Sequence, residues 1–264
     1  MAEQTGIIKY RGSFKSIRHY KNRKNKRTLA GEKGGANRDL VMNNKAFART
    51  RENMNEFEGC GVAVKGIHAE MGMLWGAHTD AHFTGRLTAI LKIINLQDGV
   101  GVRGKKAINI SDNKSIFKTL NLHEKRKIDF QLKRSSRNSH SESRIEATIT
   151  ITGLNPDSTF VPKSAQYYRV VNHLCVISDY AYHEMNRRYE KVSPTSLSEV
   201  FTYSDYTTIN TPLTVALTAA FPEGTVLNEK DTVLQCIGIE YYIKSGQDRY
   251  FPYTSGSMIV YDVF

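Results

Sequence analysis

The sequence predicts an α+β protein: a basic N-terminal β-hairpin, a central α-helical layer and a C-terminal antiparallel β-sandwich or barrel. Three observations lead there. Residues 6–35 alternate apolar and basic side chains around a polar turn, residues 47–94 repeat apolar residues at helical spacing, and residues after 144 carry about six runs rich in β-branched and aromatic types. The resulting division is 1–42 as a basic arm, 43–144 as a mainly helical region and 145–264 as a β-rich domain.

In the arm, Ile8, Tyr10, Phe14, Ile17 and Tyr20 lead into the KNRKNK turn, and the chain returns through Thr28 and Leu29. A hairpin of this size is marginal in isolation, so it is expected to pack on the domain, to be ordered by a ligand or to insert into a neighbouring subunit. The next stretch, RTLAGEKGGANRD at 27–39, raises the question of a phosphate cradle. It lacks the GxxxxGK[ST] spacing and places Glu32 where a phosphate would be repelled. It reads instead as a hairpin exit given freedom by Gly34 and Gly35, with Asn37 or Asp39 helping to start the next element.

Phe47, Met54 and Phe57 then recur at helical spacing, with Asn43 or Asn44 as N-cap, and Gly59 and Gly61 are expected to break the helix. Val64, Ile67, Met71 and Leu74 continue a face that Trp75 closes. Phe83, Leu87, Ile90, Leu91 and Ile94 form the clearest amphipathic stripe. KRSSRNSHSESR at 133–144 is poor in apolar residues and reads as an exposed loop. EATITITGL, YYRVVNHLCVISDYAYH, LSEVFTYSDY, PLTVALTAAF, TVLQCIGIEYYIK and GSMIVYDVF are the expected strands.

Charge narrows the functional classes. The net charge of +11 is unevenly placed: residues 1–58 hold 14 Lys+Arg against 6 Asp+Glu, residues 59–144 hold 15 against 7, and residues 145–264 hold 8 against 13. A cationic front and a mildly anionic back suit a polyanion ligand or front-to-back association of copies. Three cysteines, Cys60, Cys175 and Cys236, match neither a disulfide framework nor a CxxC metal site. The start of the chain lacks an apolar signal-peptide core and no run reaches membrane-spanning length, which leads to an expectation of a cytoplasmic protein or part of an assembled particle, without a membrane partner.

For chemistry, His78 and His82 at i, i+4 are the one pairing that would suit metal ligands. No HExxH pattern surrounds them, and the segment reads as the opening of the next helix. No nucleophile elbow or paired-carboxylate site is present in the pattern, so no catalytic residue, metal, cofactor or small-molecule substrate is assigned and the chain is expected not to be an enzyme. The tyrosines Tyr167, Tyr168, Tyr180, Tyr182, Tyr203, Tyr206, Tyr241 and Tyr242 suit strands and would also suit an interface. The arm is the strongest feature. Lys15, Arg18, Lys21, Arg23, Lys24, Lys26 and Arg27 are the expected contacts to nucleic acid or a partner, with Tyr10, Phe14 and Tyr20 as interface rings.

GIIKYRGSF, LAGEKGG and AFARTREN together resemble the N-terminal pattern of a family of uncharacterised Bacteroidota proteins, over about residues 6–57. Ala30-Gly31 departs from the Ala-Arg more usual there, and the KNRKNKR turn is longer. The resemblance carries no activity. At the level of architecture, a hairpin joined to a β-rich body is similar to what subunits of phage-derived or other self-assembling particles use to grip a neighbour. The expected function is therefore a non-enzymatic structural subunit assembling with its own copies into a shell, tube or filament. The alternative is a nucleic-acid-binding protein of low sequence specificity acting through the hairpin.

Overall fold

The computed structural model describes residues 2–22, 25–32, 34–118, 120–128, 135–156, 161–246, 249–252 and 256–264, without the side chains of 73–75. Trp75 and Leu74, expected on a buried helix face, thus have side chains outside the described residues. The chain divides into two compact units, Met1–Arg51 and Glu52–Phe264.

The first unit is built on a four-stranded antiparallel sheet of order β1-β4-β3-β2, with β1 at Ala2–Glu3, β2 at Gly12–Phe14, β3 at Ile17–Lys21 and β4 at Thr28–Glu32. The expected hairpin is the β3–β4 pair, in register from Ile17 opposite Glu32 to Lys21 opposite Thr28. A second, tighter turn joins β2 to β3 with Lys15 at φ 51. Beyond β4, Gly35 takes φ 93, a conformation that a Cβ disfavours. Asn37 then caps α1 (Arg38–Asn43), its side chain accepting from the Leu40 N–H at 2.7 Å. Thus RTLAGEKGGANRD is a strand, a turn and a helix start. Asn44 caps the 3₁₀ turn Lys45–Phe47 that leads to α2 (Ala48–His78).

The second unit has three layers. Its centre is a six-stranded antiparallel sheet of order β10-β7-β13-β14, in which β11 also pairs with β7 and β15 with β13. The strands are β7 (Tyr167–Ser178), β10 (Val200–Tyr203), β11 (Thr207–Thr208), β13 (Asp231–Ser245), β14 (Arg249–Pro252) and β15 (Ser257–Val263). One face carries Val171, Cys175, Leu234 and Cys236 against Ala63, Val64, Ile67 and Met71 of α2 and Phe83, Leu87, Leu91 and Ile94 of α3 (Phe83–Gln97). The other carries Tyr168, Val170, Ile237 and Ile239 against a three-stranded sheet of β12 (Leu213–Ala220), β6 (Glu146–Leu154) and β5 (Ser136–His140). Because alternate residues of β7 and β13 face helices and strands respectively, both strands are apolar almost throughout. Among the described residues, no helix is long and apolar enough to cross a membrane.

Two expectations are corrected. The run at 133–144 contains strand β5 rather than only exposed loop. Its apolar signature is missing because its half-buried positions are polar and hydrogen-bonded: Asn138 donates to Asp262 Oδ2 at 2.6 Å, and the Ser136 hydroxyl lies 3.0 Å from that of Tyr261. Helix α2 runs through Gly59 and Gly61 without a break and kinks later, at Gly72 (φ 53, ψ −134). Gly59 is a seat, not a stop. Strands β8 (Tyr180–His183) and β9 (Arg188–Lys191) form a hairpin whose Tyr189 ring atoms lie 2.6 Å from where a Gly59 Cβ would stand, and the Tyr180 hydroxyl occupies the corresponding space at Gly66.

This arrangement makes a paired prediction. Gly59→Ala should destabilise the protein by about 1–3 kcal/mol, since the ring it displaces is buried and its hydroxyl is tied to the Lys106 carbonyl at 3.0 Å. Gly61→Ala, which meets nothing within 4 Å, should stabilise by about 0.5–1 kcal/mol through helix propensity alone. Urea unfolding of the two variants checks both signs.

Candidate interface on the basic arm

Strand alternation sorts the arm's side chains. Ile17, His19 and Lys21 share a face with Phe14, Thr28 and Ala30, whereas Arg18 and Tyr20 share the other with Ser13, Leu29 and Glu3. The sheet has almost no interior of its own: among the described residues of Met1–Arg51 only Thr28 is buried. Ile7, Ile8, Tyr10, Phe14 and Ile17 are exposed.

The expected cations are therefore dispersed over both faces. Lys15 sits at the β2–β3 turn with Nζ 5.9 Å from the Phe14 ring centroid. Arg18 projects on the Tyr20 face, its guanidinium 5.9 Å from that ring. Lys26 occupies the β3–β4 turn at φ 59, and Arg27 Nη1 lies 3.5 Å from Glu3 Oε2. Arg23 and Lys24 lie outside the described residues.

Gly12, at φ 120, turns the chain at the start of β2, so β3 continues past it through Tyr20 and Lys21. The notch left there is a cleft of about 580 Å³ lined by Arg11, Arg18, Lys21 and Lys26 with His19 and Tyr20, and no carboxylate is among its described lining residues. A contiguous, more apolar hollow of about 400 Å³ shares Arg11 and His19 and adds Tyr10 and Phe14. The Tyr10 and His19 rings meet edge-on with centroids 6.2 Å apart. His19 Nδ1 is shielded from solvent without a hydrogen-bond partner among the described residues. Arg11, which is not among the expected contacts, lines both hollows next to the positive-φ Gly12.

The histidine pair is separated. His78 ends α2 and is fully buried, its Nε2 3.4 Å from Glu240 Oε1, while His82 is the exposed N-cap residue of α3. The chain leaves the helix between them, so i, i+4 geometry does not apply. His82 lines a cleft of about 540 Å³ with Asp80, His123 and Lys125. Burial pushes the Asp80 carboxyl up, but hydrogen bonds from Arg86 (2.9 and 3.0 Å) and from the backbone N–H groups of Glu124 and His82 outweigh it, holding the group far below the usual carboxylate range. Among the described residues, no three His, Cys, Asp or Glu side chains are placed to hold a metal ion. All three cysteines are buried and unbridged, and burial pushes the Cys60 thiol up to about 11 and that of Cys236 to about 12.

A polar cluster that sequence reasoning missed lies where β7, β10 and β13 meet the end of α2. Arg169 Nε and Nη2 each lie 2.9 Å from Glu240 Oε2, which also accepts from the Tyr242 hydroxyl. The guanidinium stands 3.5 Å from the Tyr203 ring centroid, with Tyr242 and Tyr206 at 5.0 and 5.4 Å. Tyr206 in turn stacks on Tyr250 at 3.8 Å. Arg169 and Glu240 are direct cross-strand partners, a relation set by pairing register that residue order does not display. The protein's own arginine thus fills the aromatic box.

Comparison of the chain with protein-family models, with curated proteins and with solved structures finds no match among any of them.

These ion pairs carry two testable consequences. Arg169→Ala should cost about 3 kcal/mol or more, because Glu240 keeps a largely buried charge without its counterion, and Arg169→Leu combined with Glu240→Leu should cost less than either leucine variant alone; a double-mutant cycle by urea unfolding measures this. Asp80, whose folded-state pKa is depressed, adds stability that is complete above its unfolded value of about 3.9 and is lost as pH falls toward the folded value. The stability gap between the native protein and Asp80→Asn should accordingly be widest near pH 7 and narrow steadily below about pH 4.

Proposed function

We propose that the protein is a non-enzymatic structural subunit that assembles with further copies of itself, the arm packing on a neighbouring subunit. The observation that carries this reading is the arm's sheet, which exposes Phe14 and Ile17 on its strands and Ile7, Ile8 and Tyr10 in the β1–β2 connection, while Thr28 is the one buried residue among those described. A sheet of this kind gains little by folding alone, since strand order costs backbone entropy that only buried apolar area offsets. Contiguous exposed apolar residues on a protein surface mark a contact with another molecule.

Charge supports a second copy as the occupant. Residues 1–58 carry a net +8 and residues 145–264 a net −5, so the arm of one subunit and the β-rich part of the next attract each other. A front-to-back contact is heterologous and generates rings, tubes or filaments.

Sedimentation velocity and negative-stain electron microscopy of the full chain test it. The native protein should form regular oligomers whose subunit affinity falls about 1,000-fold in Ile8→Asp/Phe14→Asp, two anchors at roughly 2 kcal/mol each. A monomeric native protein, or assembly indifferent to the double substitution, would refute the arm contact.

A further inference from the structure

We infer that the cleft beside β2 is a binding site for single-stranded nucleic acid, with Arg11, Arg18, Lys21 and Lys26 taking the phosphates and the adjoining rings taking the bases. Four cationic residues from three separate stretches of the chain line one cleft, Arg18 from one face of β3 and Lys21 from the other, and none of the described lining residues is acidic. Such a concentration of one sign is unfavourable for the free protein and is relieved by a polyanion, which also releases its condensed counterions.

Three features favour a single strand over a duplex or a surface of anionic headgroups. Tyr20 lies among the cations, on the same strand face as Arg18. The second hollow shares Arg11, Gly12, Ser13 and His19 with the cleft and is also lined by Tyr10 and Phe14, which adds aromatic surface where the two share their lining. His19 lines both hollows and adds a further ring to that surface. Unpaired bases present π-faces to such rings, whereas a duplex keeps its bases stacked internally and offers only the phosphates. The geometry also selects among the arm's charges: Lys15 lies at the opposite turn, and Arg27 is occupied by Glu3.

The site is separable from self-assembly. Phosphate binding depends on the cations, whereas packing on a neighbour depends on Ile7, Ile8 and Ile17, with Phe14 the one ring shared by the neighbour contact and the aromatic hollow.

Fluorescence anisotropy with labelled oligo-dT, a duplex of equal length, inorganic polyphosphate and phosphatidylserine vesicles, all with the full chain, tests the inference. Oligo-dT should bind best, with log K falling against log salt at a slope of about −2.8 for four phosphates. Replacing Arg11, Arg18, Lys21 and Lys26 by alanine should remove that slope, while a charge-matched variant at the exposed Lys65, Arg103, Lys127 and Lys163 should keep it. Tyr20→Leu should weaken oligo-dT about tenfold and leave polyphosphate binding unchanged, a readout that does not require removing any charge. Equal affinity for polyphosphate, preference for duplex or vesicles, a flat salt dependence, or loss in the control variant equal to that in the cleft variant would each overturn it. Sedimentation of the same cleft variant should show the native oligomers, so that a failure here is distinguishable from a failure of the assembly contact.

Discussion

The β7–β13 ladder is the constraint on which the larger unit depends. The two strands pair without interruption from Tyr167 opposite Tyr242 to Ser178 opposite Asp231, and both are covered on two sides. Helices α2 and α3 pack against one set of alternate residues and the three-stranded sheet against the other, so a slip of one position would exchange the two cores. Asn172 locks the inner side: its amide donates to the carbonyls of Ala147 and Leu217, both at 2.9 Å, and Gln235 donates to its carbonyl at 3.2 Å. Buried polar groups of this kind are tolerable only because each has a partner. The Arg169–Glu240 pair marks the same register on the helix side.

The helical layer depends on small residues as much as on apolar ones. Gly59 and Gly66 give α2 a surface against which Tyr189 and Tyr180 can lie, and Gly72 leaves room for the Glu199 carboxylate, whose atoms stand about 2.2 Å from the position of an added Cβ. Glu199 in turn lies 3.2 Å from the Nε2 of the fully buried His173. The kink in α2 is therefore the point at which the apolar packing of the helix gives way to a buried polar row.

The arm is organised on the opposite principle. Its strands satisfy one another's backbone groups, but its rings and aliphatic side chains face outward and its cations meet few carboxylates, Arg27 with Glu3 being one such contact. Hydrogen bonding alone contributes little net stability in water, so such a sheet gains its order from what it touches. A self-assembling subunit that also holds a single-stranded polyanion would use both sides of that property: apolar contact for a neighbour and charge for the ligand.

The residue pattern alone determined the α+β class, the β3–β4 hairpin, the Phe83–Ile94 stripe and the strands after residue 144, because each rests on a local periodicity. It could not show β5, whose half-buried side chains are polar and are recognised as strand only by their partners Asp262 and Tyr261. Closely spaced glycines suggest a broken helix at Gly59, whereas the tertiary contact with Tyr189 makes that glycine a packing surface. Basic composition identified the arm as the candidate site, but not which charges act together. Which of them line a common cleft depends on the fold: strand alternation puts Arg18 and Lys21 on opposite faces of β3, and both still line the cleft that Arg11 and Lys26 complete. His78 and His82 show the same limit: four residues apart, they meet only if the helix continues, and it ends at His78. Local pattern specifies elements, and the pairing of distant strands specifies which side chains meet.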